Sequence, residues 1–392
     1  MRYLDVIDSL DPARGGPVEA MRRLSAGALR RGHEVEIATL DAPGSGWAQS
    51  FDCPVYDGGP GRLGVYRYAP RFTQWLRANA RRFDAVVVHG LWQYHGFATR
   101  AALRGTGVPY VVYPHGMLDP WFRREYPLKH LKKWLYWPWG EYRVLRDASA
   151  VLFTCEEERR QARQSFWLYR ANEAVVAFGT PGVQGNAAVQ RELFDAQYPA
   201  LRDKRLLLYL SRIHPKKGVD LLIDAFSEAA QRDPRLHLVL AGPDTGGEQP
   251  QLMRRAESLM PGRVTWTGML RGDVKWGAFH RAEAFILPSH QENFGIAVAE
   301  ALSCGLPVLI SDKVNIWREI HGDEAGLIAP DTLDGARDLL TRWLTMDEPA
   351  RRQMRVRARR CFEQHFQIEA ACDSLLATLR QVSALRRSPS VA

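Results

Sequence analysis

Short runs of β-branched and apolar residues alternate along this chain with stretches of helical periodicity, and this alternation constrains the fold more than any other feature. Strands separated by helices run parallel, because a parallel pair needs a crossover long enough to hold a helix. Sheets of this kind are buried on both faces, which fits the near-continuous apolar character of the runs. We predict strands at 2–7, 34–40, 84–88, 109–113 and 149–153, and again at 206–210, 236–241, 263–267, 283–287, 307–311 and 326–329.

The length and one loop indicate two domains. A chain of 392 residues can form two cores, and the Gly- and Pro-rich segment 177–186 (AFGTPGVQGN) interrupts any regular element between the two sets of strands. The predicted fold class is α/β, with two Rossmann-like domains whose parallel sheets face each other across a cleft. Ligands of open α/β sheets bind beyond the carboxyl ends of the strands, so we expect the site in that cleft.

Charge and cysteine content limit the class of partner and compartment. Lys and Arg outnumber Asp and Glu by 53 to 44, which favours an anionic partner: a nucleotide, a phospholipid or nucleic acid. No run of about 18 apolar residues occurs, and Asp5, Asp8 and Asp11 stand where a signal peptide has its apolar core. The five cysteines are odd in number and widely spaced, which suits a reducing cytoplasm. We therefore expect a cytoplasmic protein without a membrane span.

Segment 288–308 (PSHQENFGIAVAEALSCGLPV) places two carboxylates around the start of a helix. A strand ends at Leu287, a loop carries Glu292, and Gly295 opens a helix that contains Glu300. The free N–H groups and the positive dipole end of a helix N-terminus attract a phosphate or diphosphate, and carboxylates accept hydrogen bonds from sugar hydroxyls. The pattern indicates a nucleoside diphosphate sugar site rather than two ordinary surface glutamates.

Segment 208–226 (LYLSRIHPKKGVDLLIDAF) carries basic residues on a loop between a strand and a helix. Arg212 and Lys217 precede Gly218, which opens the helix. Cations at the carboxyl end of a strand can neutralise a departing diphosphate, and arginine can bind it through two hydrogen bonds. The loop alone fits a solvated surface equally well, but the acidic segment in the same half favours a diphosphate site.

Four patterns taken together resemble the retaining glycosyltransferases of family 4, which have the GT-B fold and include enzymes of bacterial surface and exopolysaccharide assembly. They are the E-x7-E of Glu292 and Glu300, the R-x4-K-G at 212–218, the DPARGGP loop at 11–17 and the YPHG at 113–116. The resemblance covers nearly the whole chain and is strongest over 205–330. The chain departs from the family where AFGTPGV replaces a P-N-G-(V/I)-D sequence, which affects the path of the linker.

The resemblance implies a role for each matching residue in the second half. Glu292 holds hydroxyls of the donor sugar, Glu300 holds the nucleotide ribose, and Arg212 and Lys217 bind the diphosphate. The rest of the donor site is formed by Asn293, Phe294 and Gly295.

In the first half the resemblance implies that His115 faces the donor sugar, although a histidine after a strand fits a structural role when it is taken alone. Gly15 and Gly16 let backbone amides approach the phosphate or the acceptor. The implied catalytic residues are His115, Arg212, Lys217 and Glu292.

Domain roles follow from the same resemblance. Residues 1–180 bind the acceptor, residues 190–365 bind the nucleotide sugar, and residues 366–392 form a helix and tail that pack back on the N-terminal domain.

The resulting hypothesis is a retaining hexosyltransferase. It moves a hexose from a nucleoside diphosphate sugar such as GDP-mannose or UDP-glucose to a hydroxyl of a glycan or polyprenyl-linked acceptor in polysaccharide biosynthesis. Two alternatives stay open: a GT-B sugar-nucleotide epimerase or hydrolase, and a non-catalytic glycan- or lipid-binding subunit.

No cofactor or metal is expected. The sequence contains no D-x-D, the usual carboxylate platform for a divalent ion under a diphosphate, and no H-E-x-x-H. Arg212, Lys217 and the helix N-terminus would supply the positive charge instead, which makes transfer metal-independent.

Segment 121–146 combines seven Lys or Arg and two Glu with Trp121, Trp134, Trp137 and Trp139. Cations interleaved with tryptophan are typical of contact with anionic lipid, which predicts a peripheral contact with the inner face of the cytoplasmic membrane. Aromatic residues of a sugar-binding cleft or of the core explain the tryptophans equally well. No nucleic-acid-binding motif accompanies the segment, so we expect no nucleic-acid partner.

Overall fold

Two parallel sheets organise the chain in the computed structural model, which describes residues 1–387. Residues 1–179 together with the helix Ile368–Arg387 form unit 1, and residues 180–367 form unit 2. The end of the predicted tail, residues 388–392, lies outside the described residues.

The sheet of unit 1 has seven parallel strands in the order β3-β2-β1-β4-β5-β6-β7. The central strand β4 is buried at every position because helices cover both faces of a parallel sheet. The strands are β1 Arg2–Ile7, β2 Glu34–Thr39, β3 Val55–Asp57, β4 Ala85–His89, β5 Tyr110–Tyr113, β6 Ala150–Phe153 and β7 Glu173–Val175. The helices before the crossing to unit 2 are α1 Gly16–Arg30, α2 Pro70–Asn79, α3 Tyr94–Leu103, α4 Trp121–Glu125, α5 Pro127–Tyr136, α6 Glu141–Asp147 and α7 Glu156–Ala162.

The sheet of unit 2 has six parallel strands in the order β10-β9-β8-β11-β12-β13. The strand order reverses between β8 and β11, and such a switch point is where open α/β sheets bind ligands. The strands are β8 Arg205–Leu210, β9 Leu236–Ala241, β10 Val264–Gly268, β11 Ala282–Leu287, β12 Val308–Ser311 and β13 Gly326–Ala329. The helices are α8 Ala187–Gln197, α9 Val219–Arg232, α10 Gln249–Leu259, α11 Gly272–Arg281, α12 Ile296–Ser303, α13 Trp317–Gly322, α14 Leu333–Thr345 and α15 Glu348–His365.

The helix Ile368–Arg387, α16, returns to unit 1 and packs along α1. The Cys372 thiol donates to the carbonyl of Leu24 at 3.8 Å, and Arg31 forms an ion pair with Asp373 at 2.7 Å. Leu375, Leu376 and Leu379 are buried on the same helix. Unit 1 is therefore completed by residues that follow unit 2 in the sequence.

The predicted fold class, two Rossmann-like domains built on parallel sheets, is confirmed. Every helix in the described part of the chain is too short or too polar to cross a bilayer.

Candidate functional site

The loop after β8 carries the two predicted cations. The Tyr209 hydroxyl donates to the carbonyl of Arg212 at 3.0 Å, and Pro215–Lys217 form one turn of 3-10 helix. Arg212 is exposed, whereas Lys217 is only 5% exposed. Arg212 thus offers an exposed guanidinium and Lys217 a buried ammonium beyond the carboxyl end of the strand.

Close packing at Gly218 joins this loop to the one after β11. Gly218 has a φ of +63°, and a Cβ there would lie 2.3 Å from the carbonyl oxygen of Pro288, so a side chain is excluded. The carbonyl of Lys216 accepts the N–H of His290 at 2.7 Å and the hydroxyl of Ser289 at 2.9 Å. The two hydrogen bonds to the carbonyl of Lys216 and the close approach at Gly218 therefore hold the two loops together.

Glu292 lies in the loop between β11 and α12, and its backbone is fixed to the chain that follows β12. Its N–H donates to the carbonyl of Lys313 at 3.0 Å, and its own carbonyl accepts the N–H of Asn315 at 3.0 Å. Gly295, with a φ of +74°, makes the turn directly before α12. The loop therefore delivers Glu292 just before the N-terminus of α12.

Lys217 and Glu292, two residues predicted from separate segments, form an ion pair. The Lys217 ammonium also donates to the carbonyl of Gln291 at 3.3 Å. The pair forms because β8 and β11 are neighbours in the sheet, although the residues are 75 positions apart in sequence. A cation and a carboxylate are thus held side by side at the switch point of unit 2.

Glu300, within α12, is buried and has its own lysine partner. Lys275 Nζ, from α11, lies 2.9 Å from Glu300 Oε1 and 4.2 Å from the centroid of the Trp276 ring. Lys275 is not among the predicted site residues, because the stretch GDVKWGAFH around it carries no motif. Each carboxylate of the E-x7-E pattern therefore has an ammonium from another element.

The side chains of Asn293 and Phe294, which also belong to the predicted donor loop, differ in exposure: Asn293 is partly exposed and Phe294 is buried. Asn293 Oδ1 accepts the side-chain amide of Asn315 at 3.4 Å. Phe294 is buried and packs edge-on against Phe366, with ring centroids 5.8 Å apart. The Phe294 side chain belongs to the core, so only its backbone is available to a ligand.

Gly15 and Gly16 lie at the start of α1 in unit 1. Gly15 has a φ of +77° and opens the helix, Gly16 is its first residue, and Pro17 follows in the first turn. A Cβ on Gly15 would meet nothing within 4 Å. The positive φ, and not crowding, is what favours glycine at this position.

His115, directly after β5, is held by a second histidine that the sequence analysis missed. Its Nε2 lies 3.0 Å from Nδ1 of His89, and Nε2 of His89 lies 3.0 Å from Oδ1 of Asp5. Burial lowers the pKa of His115 well below 6.5, and the neighbouring His89 and His95 add to the effect. The imidazole of His115 is therefore neutral near pH 7. The sequence contains a signal for His89, because the predicted strand at 84–88 is followed by His-Gly, as in the YPHG at 113–116.

The basic aromatic segment 121–146 divides into a core part and an exposed part. Trp137 is fully buried, and its indole N–H donates to the carbonyl of Trp167 at 2.7 Å. Helix α5 has no buried residue, and Leu128 at 77% and Trp139 at 68% are among the most exposed large apolar residues. Core packing thus explains Trp137, and the exposed apolar residues need another explanation.

A groove of about 610 Å³ lies beside α5 in unit 1. Its lining includes His130, Leu131, Trp134, Phe166 and Trp167.

Over residues 1–387, no three His, Cys, Asp or Glu side chains come together in an arrangement that could hold a metal ion.

Both units match known families. Residues 190–360 match the family model described as glycosyl transferases group 1, and residues 15–179 match that of the glycosyl transferase 4-like domain. The first match lies within unit 2 and the second within unit 1.

Curated relatives and a solved structure agree with these matches. A D-inositol 3-phosphate glycosyltransferase of Frankia alni is 30% identical over 292 residues, covering 66% of this chain and 68% of the relative. One of Saccharomonospora viridis is 31% identical over 268 residues, covering 64% and 60%. The structure of Anabaena Alr3699/HepE in complex with UDP superposes with a TM-score of 0.78 at 18% identity over 97% of this chain and 100% of that chain. HepE has also been solved with UDP-glucose.

Proposed function

We propose a function from the premise that this chain belongs to the glycosyl transferases group 1 family. The proposed function of the protein is to move a hexose from a nucleoside diphosphate sugar to a hydroxyl of a glycan or lipid-linked oligosaccharide acceptor in polysaccharide biosynthesis. The observation that carries the proposal is the pairing of Lys217 with Glu292 and of Lys275 with Glu300, around the switch point of unit 2.

The diphosphate would lie between the cationic loop and the start of α12. Departure of the diphosphate develops negative charge, and preorganised donors aimed at that charge lower the barrier. Arg212, Lys217 and the first N–H groups of α12 are such donors. In this arrangement Glu292, before the helix, receives the hexose hydroxyls, and the buried Glu300 receives the ribose.

The proposed transfer retains the anomeric configuration, as the resemblance to family 4 implies. The bond from the anomeric carbon to the diphosphate oxygen breaks, and a bond to the acceptor oxygen forms on the same face. The proton of the acceptor hydroxyl passes to the departing diphosphate. The same resemblance implies that His115 takes part by contacting the donor sugar.

UDP-glucose is the first donor to test, since HepE has been solved with that ligand, and GDP-mannose is the second. We propose that transfer needs no metal ion. The support is the absence of D-x-D from the sequence together with the positive charge of Arg212 and Lys217.

We also propose a cytoplasmic location with a peripheral contact to the inner face of the membrane through 121–146. Leu128, Leu131 and Leu135 recur at helical spacing along α5 and are all exposed, with the exposed Lys129 and Lys132 between them. An apolar helix face edged by cations suits the interface of an anionic bilayer. A polyprenyl-linked acceptor would be found at the same surface.

The test is a nucleotide-release assay with UDP-glucose or GDP-mannose and a polyprenyl-diphosphate-linked monosaccharide. We expect release that depends on the acceptor, an α-linked product and equal rates in excess EDTA. Release without a glycosylated product would favour a hydrolase. An epimerised donor would favour the epimerase, and activity lost in EDTA and restored by magnesium would contradict metal independence.

A further inference from the structure

Three adjacent strands of unit 1 bring three polar side chains into one line. The strands β1, β4 and β5 are neighbours in that order. Asp5 lies on β1, His89 is the last residue of β4, and His115 follows β5 by two residues. Tertiary structure alone joins these residues, which are 84 and 26 positions apart in sequence.

The side chains form a continuous hydrogen-bonded chain that is closed to solvent at its inner end. Asp5 and His89 are almost completely buried. The Ser25 hydroxyl donates to Asp5 Oδ2 at 2.8 Å, Asp5 Oδ1 lies 3.0 Å from His89 Nε2, and His89 Nδ1 lies 3.0 Å from His115 Nε2. The His89 and His115 rings stack with centroids 5.2 Å apart.

The carboxylate at the buried end constrains the positions of the protons in the chain. A carboxylate only accepts hydrogen bonds, so His89 carries a proton on Nε2. If His89 carries no second proton, its Nδ1 is an acceptor, His115 donates to it from Nε2, and Nδ1 of His115 is left as a lone pair. In that form the carboxylate of Asp5 selects one tautomer of His115 through His89.

The backbone of His115 is fixed by a second buried carboxylate. His115 has a φ of +53°, and Gly116 follows with a φ of +74°. The N–H of Gly116 donates to Glu158 Oε1 at 2.6 Å, and Thr154 donates from both its N–H and its hydroxyl to Glu158 Oε2 at 2.7 Å. A left-handed conformation at a histidine is uncommon and persists only where the surroundings hold it.

We propose that Asp5 and His89 are positioning residues that keep the proton of His115 on Nε2 and present its Nδ1 as a hydrogen-bond acceptor for a substrate hydroxyl. Nδ1 of His115 is buried and has no partner within the described residues. A buried lone pair without a donor costs free energy, and a substrate hydroxyl would remove that cost. The proposal rests on the proposed function in one respect, the contact of His115 with a substrate hydroxyl.

The first test is nitrogen NMR of the protein labelled with 15N-histidine, with His115 assigned by comparison with His115→Gln. We expect the shifts of a neutral Nε2–H tautomer. His89→Phe keeps a stacked ring but removes the acceptor, and Asp5→Asn keeps the shape but removes the charge. Each should raise the fraction of His115 that carries its proton on Nδ1. His237→Gln, a buried histidine of unit 2, should leave the His115 signals unchanged.

The second test separates the relay from the proposed function. His89→Phe and Asp5→Asn should lower turnover by about ten- to a hundredfold and leave the affinity for free UDP unchanged. If His115→Ala retains full turnover, the role of His115 in transfer fails. If His115→Ala is impaired but the tautomer of His115 is the same in wild type, Asp5→Asn and His89→Phe, the relay is overturned. If Asp5→Asn does not fold, His89→Phe alone decides, because it removes the acceptor that faces His115 Nε2.

Discussion

At the scale of single residues, the candidate donor site contains two carboxylates, and each of them contacts an ammonium. Glu292 contacts Lys217 and Glu300 contacts Lys275, and in each pair the two residues come from different elements. A charge removed from water is costly unless it is paired. Removing one member of a pair therefore affects the ligand and also the partner that remains.

We expect Arg212→Ala and Lys217→Ala each to lower turnover on the order of a hundredfold, because each removes a positive charge from the departing diphosphate. Lys217→Ala should also destabilise unit 2, since Glu292 would lose its partner, whereas Arg212 is exposed and its replacement should not. Steady-state rates and urea unfolding measure the two effects. Lys204→Ala, at the opposite end of β8, serves as the control, and normal rates in both loop variants would remove the loop from the site.

The two glutamates should differ in a calorimetric titration with free nucleoside diphosphate, which has no hexose. Glu292→Gln should reduce turnover more than it reduces this affinity, because its proposed partner is the sugar. Glu300→Ala should weaken both, because its proposed partner is the ribose. Equal losses of affinity would mean that the two roles are assigned wrongly.

The carboxyl of Glu141 should make the free energy of unfolding depend on pH. It is fully buried, and burial raises the pKa of its carboxyl from 4.5 to about 7, partly offset by a hydrogen bond from the Trp92 N–H. The folded state therefore holds the proton more tightly, and the free energy of unfolding should fall as pH rises between about 4.5 and 7, by on the order of 3 kcal/mol.

The Glu141→Gln variant has no carboxyl proton at this position, so its free energy of unfolding should not show this part of the decrease with rising pH. Urea unfolding of wild type and variant at several pH values gives the difference. The exposed Glu34→Gln should follow wild type, and parallel curves for Glu141→Gln would show that Glu141 does not titrate in this range.

The sequence pointed to residues next to a local signal and missed those that only packing brings together. Lys217 directly precedes Gly218, Glu292 lies in the loop between a predicted strand and Gly295, and Glu300 completes the E-x7-E pattern, so a pattern can be read at each position. Lys275 lies in the middle of a helix, and Asp5 lies within a strand, 84 residues from its partner. Neither position has a local pattern that specifies a partner, because the sheet order determines the pairing.

At the scale of elements, the strands that the sequence missed are the short ones at the sheet edge. β3 and β7 have three residues each and no buried position. The long buried strands produce apolar runs, while a half-exposed strand of three residues does not differ from a loop in periodicity.

The prediction at this scale concerns the binding of helix α5 to anionic membranes. Lys129→Ala with Lys132→Ala should weaken binding to phosphatidylglycerol vesicles by about 2 kcal/mol, roughly thirtyfold, because each cation near an anionic surface contributes about 1 kcal/mol. Leu131→Asp should weaken it as well, because an acid replaces an apolar contact. Vesicle sedimentation measures both effects. Val356→Asp, an exposed apolar position of unit 2, is the control, and equal binding by all variants would exclude α5 from the contact.

At the scale of the whole molecule, the chain passes from unit 1 to unit 2 and back. Unit 2 is one continuous segment, and unit 1 is made of two. A chain that ends at Gln367 therefore retains all of unit 2 but loses α16. Three buried leucines contribute roughly 1.5–3 kcal/mol each, a sum comparable with the stability of a domain.

We expect the chain ending at Gln367 to lose the structure of unit 1 and to keep the affinity of unit 2 for UDP. Hydrogen exchange resolved by peptide reports each unit separately. A chain ending at Arg387 should behave as the full chain does. Slow exchange in β1, β4 and β5 without α16 would contradict the prediction.

The return of α16 also determines an order of events during synthesis. The ribosome releases the strands of unit 1 first, but the helix that covers α1 is made only after the whole of unit 2. Unit 2 has all its residues as soon as position 367 has left the exit tunnel, whereas unit 1 must wait with the face of α1 around Leu24 and Gly27 uncovered. The half of the protein that is made first is therefore the half that finishes folding last, and it is the half that needs protection from aggregation on the ribosome.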